Sequence, residues 1–202
     1  ARWDKQEGRV RVSGRGFPRA EEAPLHYRVF SRDCTVPLQD GETETRNLKA
    51  AIPVEEGRVK LDRQYPLFNF YPIDDEGQVL PILLHGEFEV DPGRTKFSAD
   101  HAQLNRVLLD EMVQLLCGTA GDATDKGPEN GTVLASFVRE DITARHCMPH
   151  LLVPRNTDRT LITHFRRAML ERLREQRCVP VEGGWAKPPE TIYHPAAGPR
   201  LR

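Results

Sequence analysis

Apolar and polar positions alternate along much of the first half of the chain, which is the period-2 pattern of β-strands. Within residues 1–22, Val10 and Val12 alternate with polar side chains and predict a short exposed strand or hairpin arm. Further strands are predicted, in chain order, at 25–32, 49–54, 58–61, 67–71 and 79–84, with Pro81 interrupting the last and 86–90 extending it. The polar segment 37–47 predicts a loop, and residues 55–57 predict a hairpin turn.

The period changes at His101, where apolar residues begin to recur every three or four positions, as on one face of a helix. A helix is predicted over 101–117, with Ser98 or Asp100 as its N-cap and Gly118 ending it in the left-handed conformation. A second helix is predicted over 160–176, with an apolar stripe formed by Ile162, Phe165, Met169 and Leu173.

Strands that precede helices favour an α+β (mixed α/β) fold in two layers, with mostly antiparallel N-terminal strands and later helices packed on the sheet. Residues 118–131 contain almost nothing to bury and predict a mobile loop. The sequence thereby predicts a strand-rich domain at 1–117 and a helical C-terminal segment at 132–202, joined by a flexible linker at 118–131.

Charge and cysteine content narrow the class of protein. The 202 residues carry 29 Lys and Arg against 30 Asp and Glu, a net charge of −1, which disfavours a globally basic nucleic-acid binder but leaves local basic patches open. No run of ~18 apolar residues occurs, which predicts no membrane span. The chain begins at Ala1 rather than Met, which is typical of a fragment or a processed product. The four cysteines are scattered without a CxxC pair, which indicates reduced, buried thiols and a cytoplasmic protein: Cys34, Cys117, Cys147 and Cys178.

Strong catalytic motifs are missing from the sequence, which has no phosphate loop, no GxSxG elbow and no HExxH helix. A metal site could be built from His146, Cys147 and His150, since the two histidines are four apart and would share a helix face, but Pro149 interrupts that helix, so ordinary side chains are favoured. Carboxylates suited to magnesium occur as well, although a solvated turn and the polar face of a strand are favoured for them: Asp74, Asp75, Glu76, Glu87, Glu89 and Asp91.

The second predicted helix is rich in arginine. Over 159–177, which adds Arg159 and Arg177 at its two ends, six arginines outnumber Glu171 and Glu175 and leave four net positive charges. Such a stripe can neutralise nucleic-acid phosphates, or it can be a solvated face whose apolar stems cover the core. The candidates for contact with nucleic acid or a partner are Arg159, Arg166, Arg167 and Arg174.

The most informative stretch is 85–98, which follows the apolar strand. It contains Gly86, then Phe88 and Val90 in alternation with polar residues, and then a tight turn with Arg94 and Lys96. Glycine permits a close backbone approach, and a basic turn at the end of a strand suits recognition of a phosphate or a carboxylate.

Several segments follow one another in an order that resembles sacsin-like ATPases of the GHKL superfamily, in the part that follows the ATP-binding domain. They are Ala50–Val54, Phe70-Tyr71-Pro72, the acidic turn 74–77, the apolar strand 79–84, Gly86-x-Phe88-x-Val90 with Arg94, Asn105 with Leu108-Leu109, Val179-Pro180, Gly183-Gly184-Trp185, and Pro188 or Pro189. The resemblance extends, in pieces, from Tyr27 to Trp185.

The resemblance implies that the ATP pocket lies upstream of Ala1, because the Asn-bearing helix, the Asp-x-Gly-x-Gly box and the Gly-rich lid of such enzymes do not occur in this chain. The chain would then be a relay (middle or transducer) module that is not catalytic alone and holds no cofactor. ATP and Mg are expected for the parent ATPase, and chaperone-like remodelling or bacterial defence is its expected role. The implied partners are the upstream ATP-binding domain and a protein client or partner subunit, and a homo-oligomer stays open.

In those relatives a basic residue of the second domain reaches the γ-phosphate of ATP. By resemblance Arg94 is the first candidate for this contact and Lys96 the second, whereas the alternative is that Arg94 pairs with a local acid, Glu89 or Asp91.

Two other classes of function remain for this chain. One is a stand-alone interaction domain that binds nucleic acid or protein through the helix at 159–177, and the other is a small metal-dependent hydrolase built on His146, Cys147 and His150.

Overall fold

The computed structural model describes residues 2–6, 9–13, 26–38, 41–56, 58–61, 65–73, 78–94, 96–119, 131–139, 160–194 and 198–201. The strands before the helices are β1 (Arg2–Gln6), β2 (Arg9–Ser13), β3 (His26–Pro37), β4 (Thr43–Glu55), β5 (Arg58–Val59), β6 (Tyr65–Asn69), β7 (Tyr71–Pro72), β8 (Gln78–Leu80) and β9 (Leu83–Gly86). The helices are α1 (Ala102–Cys117), α2 (Val133–Arg139) and α3 (Thr160–Glu175), and they are followed by β10 (Val179–Val181), β11 (Gly184–Ala186), a 3-10 helix (Pro188–Glu190), β12 (Thr191–His194) and β13 (Gly198–Leu201).

Nine of the described strands form one sheet in the order β1-β2-β3-β4-β9-β6-β7, with β5 paired to β4 and β8 paired to β6. The pairing of β6 with β9 is parallel, and the other pairings within this sheet are antiparallel. Strands β10 with β11 and β12 with β13 form two short antiparallel hairpins after α3. The predicted α+β fold, with mostly antiparallel strands before the helices, is confirmed.

Strands β3 and β4 form a long hairpin that pairs without interruption from His26 opposite Val54 to Pro37 opposite Thr43. The predicted loop at 37–47 is therefore wrong at both ends, and the turn between the strands is closed by hydrogen bonds between Leu38 and Glu42 and between Gly41 and Leu38. Polar residues at 43–47 do not prevent a strand here, because Arg46 is buried and continues the alternation of inward-facing residues along β4. Its charge is neutralised by ion pairs with Glu44 and Glu89.

Of three further predictions about the strands, two are confirmed and one is wrong. The hairpin over residues 55–57 is confirmed, because Val54 pairs with Val59 and Glu55 with Arg58. The interruption at Pro81 is confirmed as well, since it separates β8 from β9. The predicted extension through 86–90 is wrong, because regular pairing with β4 ends at Gly86 and the chain then leaves the sheet.

Helices α1 and α3 lie where the three-and-four spacing predicts them. The predicted caps of α1 differ: His101 is the N-cap and makes no side-chain cap hydrogen bond, so neither Ser98 nor Asp100 caps the helix. Gly118 ends the helix with φ 88° and ψ 174°, and its N–H donates to Gln114 O. The helix thus ends on a positive-φ glycine, although outside the left-handed helical region.

One hydrophobic cluster joins the sheet to the helices. Leu48, Ile52 and Leu84 of the sheet are fully buried in it, as are Leu109 of α1 and Phe165 of α3. Each large apolar side chain buried in this way stabilises the fold by about 1.5–3 kcal/mol. The cluster runs from Cys34 to Cys178 along the sequence, and the predicted linker at 118–131 lies for the most part outside the described residues.

Polar contacts add to the packing between these elements. Arg32 of β3 forms an ion pair with Glu111 of α1 at 3.0 Å, and His164 of α3 lies 2.7 Å from Asp110. Cys34, Cys117 and Cys178 are free and buried, as expected, while Cys147 lies outside the described residues. Within the described ranges no helix combines the length and the apolar character that a membrane crossing needs.

Candidate functional site

Residues 86–98, here called the arm, leave the sheet after β9 and return toward α1; Thr95 within it lies outside the described residues. An isolated bridge pairs Val90 with Phe97, and the N–H of Ser98 donates to Glu89 O at 2.9 Å. At the tip, the Asp91 N–H donates to Lys96 O at 2.9 Å, and the Asp91 carboxylate accepts the Lys96 N–H at 3.2 Å. The arm is therefore a closed loop rather than a continuation of β9.

The base of the arm is packed into the core. Phe88 and Phe97 are buried and meet edge to face, with 5.2 Å between the ring centroids. A Cβ at Gly86 would lie 2.7 Å from Phe88 Cε2 and 2.9 Å from Leu48 Cδ2, closer than real Cβ atoms come. The expectation that Gly86 gives a ligand close access is thus corrected, because Phe88 and Leu48 fill that space.

Two asparagine side chains hold the arm against its neighbours. Asn105 on α1 is fully buried; its Oδ1 accepts the Glu89 N–H at 2.8 Å, and its Nδ2 donates to Glu89 O at 2.7 Å. Asn69 at the end of β6 donates from Nδ2 to Phe88 O at 2.5 Å. Because an amide has both a donor and an acceptor, Asn105 satisfies both backbone groups of one residue.

Arg94 and Lys96 are exposed at the tip of the arm. Glu89, one proposed partner of Arg94, is instead paired with Arg46 at 2.6 Å. Asp91 contacts Arg94 through its backbone, since the Arg94 N–H donates to Asp91 O at 2.8 Å. Among the described residues no carboxylate pairs with the Arg94 guanidinium, which leaves its charge available to an external anion.

The guanidinium of Arg94 lies instead over the ring of Tyr71, with Cζ 5.7 Å from the ring centroid. Phe70 and Tyr71 are the large apolar side chains that lie exposed among the described residues, at 77% and 59% of their surface. Sequence reasoning placed both in a strand at 67–71, whereas β6 ends at Asn69 and Phe70 turns the chain into β7. The adjacent Pro72 was the available signal, because proline favours strand edges and turns.

His85 of β9 supports this aromatic turn from inside the sheet. Its Nε2 accepts the backbone N–H of Phe70 at 3.4 Å, and the two rings meet edge to face at 5.5 Å. Its Nδ1 is buried without a hydrogen-bond partner in the described part of the chain. Burial, followed by the charge of Lys49, lowers the pKa of His85, and the neutral ring is the form that can accept the Phe70 N–H.

The arginines of α3 are divided between internal and exposed positions. Arg167 pairs with Glu171 at 2.8 Å on the helix surface, and Arg172 donates to Gly118 O at 3.2 Å. Arg166 and Arg174 are exposed and have no ion pair within the described ranges. Arg159 lies outside the described residues. Two of the four predicted contact residues are therefore exposed and without an ion pair among the described residues.

A cleft of about 580 Å³ lies between the end of the β3–β4 hairpin and the start of α1, lined by Pro37, Leu38, Arg46, Glu89, Asp100, His101, Gln103, Leu104 and Val107. Arg46 is the buried cation in its wall, and it is already bonded to Glu44 at 2.8 Å, to Glu89, and to the carbonyl of Glu87. These contacts make Arg46 a structural group that ties β4 to the base of the arm.

Only some of the predicted metal candidates lie in the described part of the chain. His146, Cys147 and His150, together with the acidic turn 74–77, lie outside the described residues. In the part of the chain that is described, no three His, Cys, Asp or Glu side chains are grouped as metal ligands. The remaining acids have other contacts: Glu87 accepts the Asn47 N–H at 3.1 Å, and Glu89 pairs with Arg46.

The site that the geometry brings together is therefore the arm tip with the aromatic turn beside it, where Arg94 lies on Tyr71. Comparisons of the chain with models of protein families, with curated proteins and with solved structures found no match.

Proposed function

We propose that this chain is the relay module of a sacsin-like GHKL ATPase, in which Arg94 contacts the γ-phosphate of ATP held by a separate domain. The observation that carries the proposal is the exposed Arg94 guanidinium, which has no carboxylate partner in the described part of the chain. The arm beneath it is fixed by Asn105 and by Phe88 and Phe97. A cation held in place before the reaction stabilises charge that develops on a transferring phosphoryl group.

The packing also offers a route for a relay. Glu89, at the base of the arm, is bonded to Asn105 of α1, and Met169 of α3 packs against Cys117 of α1. A phosphate that contacts the arm tip only in the ATP state would favour one position of the arm, and α1 and α3 would respond. Lys96, exposed on the same tip, is the second candidate cation.

The wider proposal follows from the same resemblance. ATP and Mg belong to the parent ATPase, no cofactor is assigned to this chain, and the partners are the upstream ATP-binding domain and a protein client or partner subunit. Its activity would be chaperone-like remodelling or, in a bacterium, defence. A cytoplasmic location fits the free thiols of Cys34, Cys117 and Cys178.

The first test is the intact mass of the native gene product that contains this sequence. We expect this mass to exceed that of the 202 residues by at least one further domain, which is ~50–250 residues. The second is ATP turnover by that product with Arg94→Ala, for which kcat should fall roughly 10²–10³-fold while nucleotide binding is retained. Arg58→Ala is the matched control, since Arg58 is also exposed and has no ion pair among the described residues. Wild-type turnover by Arg94→Ala would remove Arg94 from the mechanism.

A stand-alone interaction domain that binds nucleic acid through α3 is the second candidate function. It is supported by Arg166 and Arg174, which are exposed and have no ion pair among the described residues. DNA or RNA binding should then weaken steeply between two salt concentrations and be lost in Arg166→Glu/Arg174→Glu. Binding that ignores salt, or that survives the double reversal, would contradict this candidate.

A further inference from the structure

We infer that Tyr71 is a positioning residue for Arg94: its ring holds the guanidinium in the place from which the phosphate contact is made. The inference rests on the proposed function and adds to it a residue outside the arm. It starts from the contact that the structure gives Arg94, with Cζ 5.7 Å from the centroid of the Tyr71 ring. A guanidinium within about 6 Å of an aromatic centroid is attracted by the ring quadrupole.

Arg94 needs such a support because of where it lies. An exposed arginine has several rotatable bonds, and ordering it costs side-chain entropy. No ion pair with a carboxylate among the described residues restrains it, and Glu89 is paired with Arg46. The Tyr71 ring is therefore the contact that limits the guanidinium to one side of the arm.

The backbone that carries the Tyr71 ring is held in place by its neighbours. Phe70, which precedes it, has φ +57°, a left-handed conformation that L-residues other than glycine rarely adopt. The Phe70 N–H donates to His85 Nε2 at 3.4 Å, and its ring meets the His85 ring edge to face. Asn69 donates to Phe88 O, so the aromatic turn and the arm are also joined through their backbones.

Core packing does not account for these aromatic residues. Phe70 and Tyr71 bury little of their surface, with 77% and 59% exposed, and the left-handed turn at Phe70 is unfavourable for a non-glycine residue. The arrangement instead places an aromatic ring beside a cation that has no carboxylate partner among the described residues. Arg94 also has φ +57°, so the two turns that meet at this contact each hold a non-glycine residue in the same conformation.

The test is a double-mutant cycle on ATP turnover by the native gene product that contains this chain. It compares wild type, Tyr71→Leu, Arg94→Ala and the double variant, with Tyr71→Phe as the variant that keeps the ring. We expect Tyr71→Leu to lower kcat roughly 2- to 5-fold at unchanged KM for ATP, and Tyr71→Phe to match wild type. In the Arg94→Ala background, Tyr71→Leu should have no further effect.

The outcomes separate the two proposals. An equal loss from Tyr71→Leu in both backgrounds, or a Tyr71→Phe variant as impaired as Tyr71→Leu, overturns the positioning role and leaves the role of Arg94 intact. Wild-type turnover by Arg94→Ala overturns the proposed function and this inference with it. Thermal unfolding of each variant checks that it is folded. If Tyr71→Leu is unfolded, Tyr71→Trp replaces it in the test. The indole ring strengthens the cation–π contact, so the positioning role predicts a kcat at or above that of wild type, and a lower kcat contradicts it.

Discussion

Asn105 and Glu89 are joined by two hydrogen bonds, because the buried amide of Asn105 accepts the Glu89 N–H at 2.8 Å and donates to Glu89 O at 2.7 Å. A backbone pair of this kind normally belongs to a neighbouring strand. Here a helix side chain replaces the strand, at the place where the arm has left the sheet. The arm is thus tied to α1 by the same two hydrogen bonds that one residue of an antiparallel strand makes with its neighbour.

Removal of this contact should loosen the arm and destabilise the protein. Asn105→Ala would leave the Glu89 N–H without its partner, so we expect unfolding free energy to fall by about 1–3 kcal/mol. Urea denaturation measures the loss, and Gln103→Ala, exposed on the same helix, is the control that should stay near wild type. Equal stability of Asn105→Ala and Gln103→Ala would contradict the role given to Asn105.

Gly86→Ala should destabilise through overpacking. The added Cβ would lie 2.7 Å from Phe88 Cε2, and both Phe88 and Leu48 are buried and cannot move aside freely. A loss of about 1–3 kcal/mol is expected in denaturant unfolding. Gly184→Ala is the matched control, since a Cβ there meets nothing within 4 Å.

A second variant makes this prediction specific. Phe88→Leu removes the ring that the new Cβ would strike, so Gly86→Ala should be less damaging in that background than in wild type. Strictly additive losses would show that the contact between these two residues is not the cause.

Stability should depend on the protonation of His85. Burial, with the charge of Lys49 adding to it, lowers the pKa of His85 from its usual 6.5, while Glu87 acts in the opposite direction. Between the lowered pKa and 6.5 the unfolded chain binds the extra proton and the folded chain does not, so stability rises with pH across this window. Acidification from pH 7 should therefore destabilise the fold until the folded pKa is passed.

The comparison variant for this pH dependence is His85→Gln, which keeps an acceptor for the Phe70 N–H but has no titrating group. The difference in unfolding free energy between wild type and His85→Gln, measured from pH 7.5 to 5, should follow the direction just given. A difference that does not change with pH would refute it. Titration of the His85 ring by NMR gives its pKa directly.

The described thiols should resist alkylation in the folded protein. Burial raises the pKa of Cys178 to about 12, and it raises the pKa values of Cys117 and Cys34 as well. Iodoacetamide reacts with the thiolate, which is scarce at pH 8 when the pKa is high and the sulfur is enclosed. Peptide mapping should show these three cysteines unlabelled in buffer and labelled in urea. Labelling of Cys117 at the same rate in both would contradict its burial.

The helices were predictable because their signal is local. Leu108 and Met112 lie four residues apart on α1, as do Phe165 and Met169 on α3, and both helices begin and end within a residue of the expected bounds. Arg46 was not predictable, because its burial depends on Glu44, Glu89 and the carbonyl of Glu87, of which two are more than 40 residues away in the sequence. A charge that is neutralised by residues far away in the sequence produces no periodic pattern around its own position.

The candidate site was likewise predictable only in part. Arg94 was selected from its place in a basic turn, and the turn is present. Its neighbour Tyr71 was predicted to continue the strand at 67–71, whereas it belongs to a second strand, β7, which pairs back onto β6 after the turn at Phe70. Only the fold shows that Phe70 turns the chain and that the two segments, more than 20 residues apart, meet at one surface.

The left-handed backbones of Phe70 and Arg94 have a consequence for how this protein would change under selection. Glycine or asparagine fits such a conformation with less strain, so a library screened for thermostability alone should accumulate them at both positions. A library screened for activity should keep the aromatic and the arginine in spite of the strain. The two screens, sequenced side by side, would separate what this chain keeps in order to fold from what it keeps in order to act.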